Sequence, residues 1–299
     1  MNERFAADPT CFRNSAELQA VLQYFGIHTG RYLLRYPDDW EQRLVSIPPL
    51  MSPVESARVS TLLRRAKERY GVLPAPFLMW MDHLSWSDNA NKLTTQAPPT
   101  LDGAIVPNDT ARIPLKGTIL EKFELPPTAE ERIASTPAEY VRVSQQILST
   151  SHELVLVDPY LNVCDKHVSN VLEAILAFAA RGKCRAVSCF ARERDILSAS
   201  ITRDRLKKTL QDLRSAAAPD RPIKLTYFLI DDSTSRDRMH DRYLMSVKGG
   251  IQYSQGFQQQ RRDAKVTATP MSPTLHREIW SNFMDRRTDM RFGTPVTAP

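Results

Sequence analysis

Between Met239 and Phe257 the chain reads M-H-D-R-Y-L-M-S-V-K-G-G-I-Q-Y-S-Q-G-F. His240, Asp241 and Arg242 precede an apolar run (Tyr243, Leu244, Met245, Val247), a turn signal at Lys248-Gly249-Gly250 and a second run (Ile251, Tyr253) that ends at Gly256. Two β-forming runs around paired glycines predict a β-hairpin. Side chains alternate along a strand, so His240 and Arg242 are expected on one face. That places an imidazole, able to attack or to move a proton, beside a planar cation suited to phosphate oxygens. The bland alternative is a hydrogen-bonded histidine, with Arg242 in an ordinary ion pair to Asp231, Asp232 or Asp237.

The stretch resembles the phospholipase D-like superfamily, whose motif is His-x-Lys, often extended as His-x-Lys-x4-Asp and followed by a Gly-rich segment. His240 stands at the His position, Arg242 at the Lys and Val247 at the Asp, and Gly256-Phe257 sits where the family often has a second turn. The His-Asp-Arg form is similar to divergent members, including the phospholipid-binding C-terminal domain of some microtubule-interacting-and-trafficking proteins and its bacterial relatives. The resemblance covers about residues 137–290. It implies attack on a phosphodiester by the motif His, a second His as general acid, and Lys residues on the non-bridging oxygens, with no metal and no other cofactor. This chain carries one motif, so turnover requires His240 of a second copy in a homodimer, or recruitment of His276. Asp158 is the candidate to orient His240, because Asp241 faces away on an ideal strand. The candidate catalytic residues are therefore His240, Arg242, Asp158 and, more weakly placed, His276. Arg242, Lys248, Arg261 and Arg262 are the candidate phosphate ligands.

Outward from the motif the pattern is regular. Thr136-Pro137-Ala138-Glu139 opens a helix with Tyr140, Val143, Ile147 and Leu148 inward. Glu153–Val157 is a buried strand closed by Asp158-Pro159. Val168–Arg181, Cys184–Phe190, Thr202–Ala216 and Lys224–Ile230 predict helix, strand, basic amphipathic helix and strand. A strand near Lys265–Ala268 and a helix over Ser272–Arg286 follow. This alternation predicts an α/β fold, a mixed sheet with helices on both faces, as in a phospholipase D-like half-domain. Such sheets bind ligands at strand C-terminal ends, where Asp158 and the 231–240 loop are expected to meet.

The first 93 residues predict a smaller helical domain. Helices are expected from Ser15 to Phe25, from Asp38 to Leu44, from Ser52 to Tyr70 and from Pro76 to Leu93, with residues 1–14 irregular. Trp40, Trp80 and Trp86 are expected to fill its core. Residues 94–135 read as a linker or packed excursion, with short strands at Ala104–Val106 and Ile113–Leu115. Residues 136–299 form the α/β domain.

The formal charge is +6, and Arg221–Pro299 carries 13 Lys and Arg against 8 Asp and Glu. A basic surface near a phosphate-suited motif favours an anionic ligand, nucleic acid ahead of lipid. No apolar run approaches the roughly 18–20 residues of a membrane span, and the first ten residues lack a secretory signal's apolar core. Four cysteines without C-x-x-C spacing fit reduced thiols in a cytoplasmic chain. The expected function is a phosphate- or nucleic-acid-binding accessory or regulatory protein, with a protein partner on the N-terminal domain. By analogy the setting is a bacterial antiviral defence system. One alternative is a dimeric, metal-independent nuclease with His240 as nucleophile. A second is a membrane-surface phosphoinositide adaptor.

Overall fold

The computed structural model of the protein describes residues 1–46, 51–107, 130–198, 200–221, 223–236, 238–260 and 264–298. Two compact units divide the chain, Met1–Ala129 and Glu130–Pro299. No helix among the described residues is long and apolar enough to cross a membrane.

The first unit contains β1 (Glu3–Ala7), α1 (Ser15–Leu22), β2 (Arg31–Arg35), α2 (Trp40–Ser46), α3 (Pro53–Glu68), β3 (Val72–Pro74), α4 (Trp86–Thr95) and β4 (Gly103–Ile105). Its strands form a parallel sheet in the order β3-β2-β1-β4. This corrects the expectation of a helical first domain; within 94–135, expected as a linker or packed excursion, Gly103–Ile105 joins this sheet and residues 108–129 lie outside the described residues. The helix starts were readable: Ser52 caps α3 by accepting from the Glu55 N–H, and Asn14, one residue before the expected cap, accepts from Ala16 and Glu17. The strands were not readable. They are three to five residues long, and β2 up to Leu34, β4 and the second half of β1 are buried without a break, so they show no alternation.

Between Pro76 and Leu93 the chain is helical only from Trp86. The buried Asn89 amide explains why. It donates to the carbonyls of Met81 (3.0 Å), Leu84 (3.3 Å) and Ser85 (3.1 Å), and its oxygen accepts from the Met81 N–H at 3.0 Å. Those bonds hold the preceding segment in turns. Trp40 is fully buried and donates to the Ala7 carbonyl at 2.6 Å. Trp80 and Trp86 pack edge-on against Tyr36. These three tryptophans therefore serve the core, whereas Phe77 of the same stretch is exposed. Ile113–Leu115 lies outside the described residues.

The second unit begins earlier than expected, with β5 (Glu131–Ala134). It continues through α5 (Pro137–Thr150), β6 (Glu153–Val157), α6 (Lys166–Arg181), β7 (Ala186–Arg192), α7 (Glu193–Ile196), α8 (Arg203–Ala217), β8 (Lys224–Asp231), β9 (Arg242–Ser246), β10 (Gly249–Tyr253), β11 (Lys265–Pro270), α9 (Pro273–Phe283), β12 (Arg291–Phe292) and β13 (Val296–Ala298). The sheet order is β12-β8-β7-β6-β9-β10-β11-β5, with β13 also on β8. Strands β6, β7 and β8 are parallel, and β9, β10, β11 and β5 continue antiparallel from β6. One face carries α5, α6 and α8. On the other, Leu275, Ile279, Trp280 and Phe283 of α9 pack on a buried cluster that includes Val155, Val157, Phe190, Tyr243 and Met245. The second unit is thus an α/β fold, a mixed sheet flanked by helices.

The predicted hairpin is β9–β10, with its turn shifted. Ser246 pairs with Gly249, so Val247 and Lys248 form the two-residue loop and both glycines lie in β10. Gly250 serves packing rather than turning: a Cβ there would sit 2.6 Å from the Met271 sulfur and 2.7 Å from Met245 Cγ. Cys11, Cys184 and Cys189 are buried free thiols, and burial pushes all three pKa values up, Cys184 to about 11 and Cys189 to about 12.

Candidate functional site

Strands β6, β7 and β8 end at one edge of the sheet, and β9, running antiparallel to β6, begins there. Val157 pairs with Tyr243, and both face α9. One position outward along each strand, alternation turns Asp158 and Arg242 to the opposite face. Their closest ion-pair contact, Arg242 Nε to Asp158 Oδ1, is 3.8 Å.

Asp158 is almost wholly buried. Its Oδ1 accepts from the Tyr160 N–H at 2.9 Å, and its Oδ2 accepts from the Phe257 N–H at 3.0 Å. Burial pushes its carboxyl above the ordinary carboxylate value, while those two N–H bonds and the Arg242 charge oppose that rise. Gly256 is needed for this approach, because a Cβ there would lie 2.8 Å from Asp158 Oδ2. The Gly256-Phe257 step therefore closes over the carboxylate at the end of β6. Both carboxylate oxygens are held by backbone, and the charged neighbour is Arg242. The expected role of Asp158 as the group that orients His240 is not what this geometry provides.

Arg242 is 23% exposed. It donates from Nη1 to the His240 carbonyl at 2.8 Å, and its Nε has no hydrogen-bond partner. Its guanidinium lies over the Tyr160 ring, 5.5 Å from the centroid, and Tyr160 is 54% exposed. A second guanidinium, that of Arg192, sits 5.8 Å from the same ring. Arg192 is 5% exposed and fully engaged. It donates to Asp232 Oδ2 and Asp195 Oδ2, both at 2.8 Å, and to the Met239 carbonyl. Asp232 Oδ2 also accepts from the Met239 N–H at 3.0 Å. The buried Arg192–Asp232 pair thus pins Met239, one residue before the motif histidine. Arg192 and Tyr160 were missed in the sequence. A charged residue closing the apolar run of β7 and a tyrosine straight after Asp-Pro were the available signals.

His240 is exposed and precedes β9, so the alternation that linked it to Arg242 does not reach it. It lines a cleft of ≈ 370 Å³ on the α9 face, together with Val157, Tyr243, Phe283, Arg238 and Glu278. Asp232, expected as a partner for Arg242, pairs with Arg192 instead. His276 and Lys248 do not join the site. The buried His276 Nε2 lies 2.7 Å from the carbonyl of Ser246, at the far end of β9. Four residue steps separate Ser246 from Arg242, or about 13 Å of extended chain. Lys248 lies beyond it in the exposed turn, beside Val247, which is 67% exposed. Arg261, Arg262 and Asp237 lie outside the described residues.

No protein-family model matches the chain, and no curated protein does. Among solved structures it is similar to TrmBL2, an archaeal chromatin protein whose structure shows a novel mode of DNA binding, at 10% identity and a TM-score of 0.30. The match covers 56% of this chain and 55% of the other, so the chain spans about half the length of that protein. A likeness of this grade carries no argument about function.

Proposed function

We propose that the 130–299 unit is a phospholipase D-like half-domain that binds a phosphodiester at this edge of the sheet, nucleic acid ahead of lipid, as an accessory or regulatory protein without turnover. The observation that carries the reading is Arg242. It is a partly exposed guanidinium that lies over an exposed tyrosine ring, and the carboxylate it faces among the described residues, Asp158, is one that burial makes harder to ionise. A planar cation of this kind suits phosphate oxygens, and an exposed aromatic beside it offers a stacking surface. Against turnover stands the setting of His240. Asp158 is engaged elsewhere, and His276 is at the other end of β9.

The test is incubation of labelled single- and double-stranded DNA and RNA with the full chain in EDTA. The expected result is a salt-sensitive complex and intact substrate. Cleavage that disappears in His240→Ala would overturn the binding-only reading in favour of a nuclease with His240 as nucleophile.

A further inference from the structure

We infer that the ≈ 370 Å³ cleft beside His240 accepts the base of a single nucleotide, either free or at the end of a nucleic-acid strand. The inference rests on the reading of this edge as a phosphate site and adds the ligand class.

The cleft has three chemically distinct parts. Its floor is apolar: Val157, Tyr243, Phe283 and Met290 belong to one buried cluster and leave part of their surface facing the opening. Its rim carries two guanidiniums, Arg236 and Arg238, together with His240 and the carboxylate of Asp241; all four are exposed, and Arg238 carries no ion pair among the described residues. The rim is held at two points: Arg192 and Asp232 bind the Met239 backbone, and the Arg236 N–H donates to Asp289 at 3.2 Å. The third part is a polar pair on α9. Glu278 and Asn282 are four residues apart, so they share one face of the helix.

A bare phosphate would use the rim and leave the floor wet. An acyl chain would use the floor and leave the polar pair unpaired. A nucleotide uses all three: a flat ring against Tyr243 and Phe283, a phosphate on the arginines, and base-edge hydrogen bonds to a carboxylate and an amide. The volume falls in the range of about 300–1,000 Å³ common to small-ligand pockets. Arg242, turned to the opposite face of the sheet, donates to the His240 carbonyl and so shares with the cleft the backbone at the start of β9.

The experiment is calorimetric titration of the full chain in EDTA with the four nucleoside 5′-monophosphates, ribose 5-phosphate, inorganic phosphate and inositol phosphate. At least one nucleotide is expected to bind at least about 10-fold more tightly than ribose 5-phosphate, since each 1.4 kcal/mol of base contact is a factor of ten. Asn282→Phe, which fills the cleft, is expected to bring the nucleotide down to the ribose 5-phosphate level. Glu278→Gln, at an exposed position, is expected to change the order of preference among the four bases. Equal affinity for nucleotide and ribose 5-phosphate, both weakened by Arg242→Ala, overturns the inference and leaves the phosphate site standing. Inositol phosphate binding more tightly than every nucleotide also overturns it. Absence of binding by every phosphate ligand removes both.

Discussion

At the scale of single residues, the site depends on a carboxylate that the fold has enclosed. Gly256 lets the chain pass over Asp158, and the Phe257 N–H then binds the carboxylate oxygen. Gly256→Ala places a Cβ against that oxygen, and since overpacking in well-filled sites costs roughly 1–3 kcal/mol, a loss of about that size is expected in urea unfolding. An unchanged midpoint would show that the loop moves freely and does not fix the carboxylate. His276 gives a pH signature. Burial holds its pKa below the ordinary value of 6.5, against the opposing bond to the Ser246 carbonyl. A folded state that disfavours the proton is stabilised above the unfolded pKa, and this stability is lost as pH falls from 6.5 toward the folded value. His28 in the first unit is shifted the same way, by burial and then by Arg69. The unfolding midpoint is therefore expected to drop on acidification below pH 6.5, with a shallower slope in His276→Gln. Identical slopes would show that His276 takes up its proton without cost to the fold.

At the scale of elements, the loop from β8 to β9 carries the motif histidine and is held from β7. Arg192 engages Asp232, Asp195 and the Met239 carbonyl from a position almost without solvent. Removing one partner of a buried pair leaves the other charge uncompensated, at a cost of roughly 3–5 kcal/mol, whereas replacing both with apolar residues recovers much of it. Arg192→Met is expected to destabilise by about that amount in denaturant titration, and the double variant Arg192→Met/Asp232→Leu is expected to recover at least half. Loss of less than about 1 kcal/mol in Arg192→Met would show that the pair does not hold the loop. The same scale explains what the sequence discloses. Helices α3, α6 and α8 announce themselves through caps and 3.6-residue periodicity, and α5 through periodicity and its first-turn proline. Strands β6, β7 and β8 are visible because they alternate with those helices. Strands β1 and β3 are short and flanked by no hairpin signal, so their pairing is decided by distant contacts that leave no local pattern. At the site, Asp158 and Arg242 are legible because a strand ends and a strand begins at them. The buried Arg192–Asp232 pair spans 40 residues and shows only in three dimensions.

At the scale of the whole molecule, each unit has its own buried core. In the first, Phe5, Leu18, Leu33, Trp40 and Leu63 pack together, and in the second, Val155, Val157, Phe190, Tyr243 and Phe283 do. A separately expressed 130–299 chain is therefore expected to unfold cooperatively and to keep the anion affinity of the full protein. Expression as an aggregated or non-cooperative chain would show that its core is incomplete alone. The positive balance of the chain concerns association rather than fold, and it makes salt the most informative variable. Neutralising a phosphate contact reduces the dependence of log K on log salt by roughly 0.7–0.9 per contact. The most direct measurement is anisotropy titration of a labelled single-stranded oligonucleotide in EDTA across a salt series, with the wild type and Arg242→Ala compared. The account predicts that Arg242→Ala binds roughly 10- to 100-fold more weakly, as expected for loss of a charge-assisted contact of about 1.5–3 kcal/mol, with a salt slope shallower by nearly one. Equal affinity and equal slope for the two proteins would contradict the account, because the ligand would then bind without touching the edge where Asp158, Tyr160 and Arg242 meet.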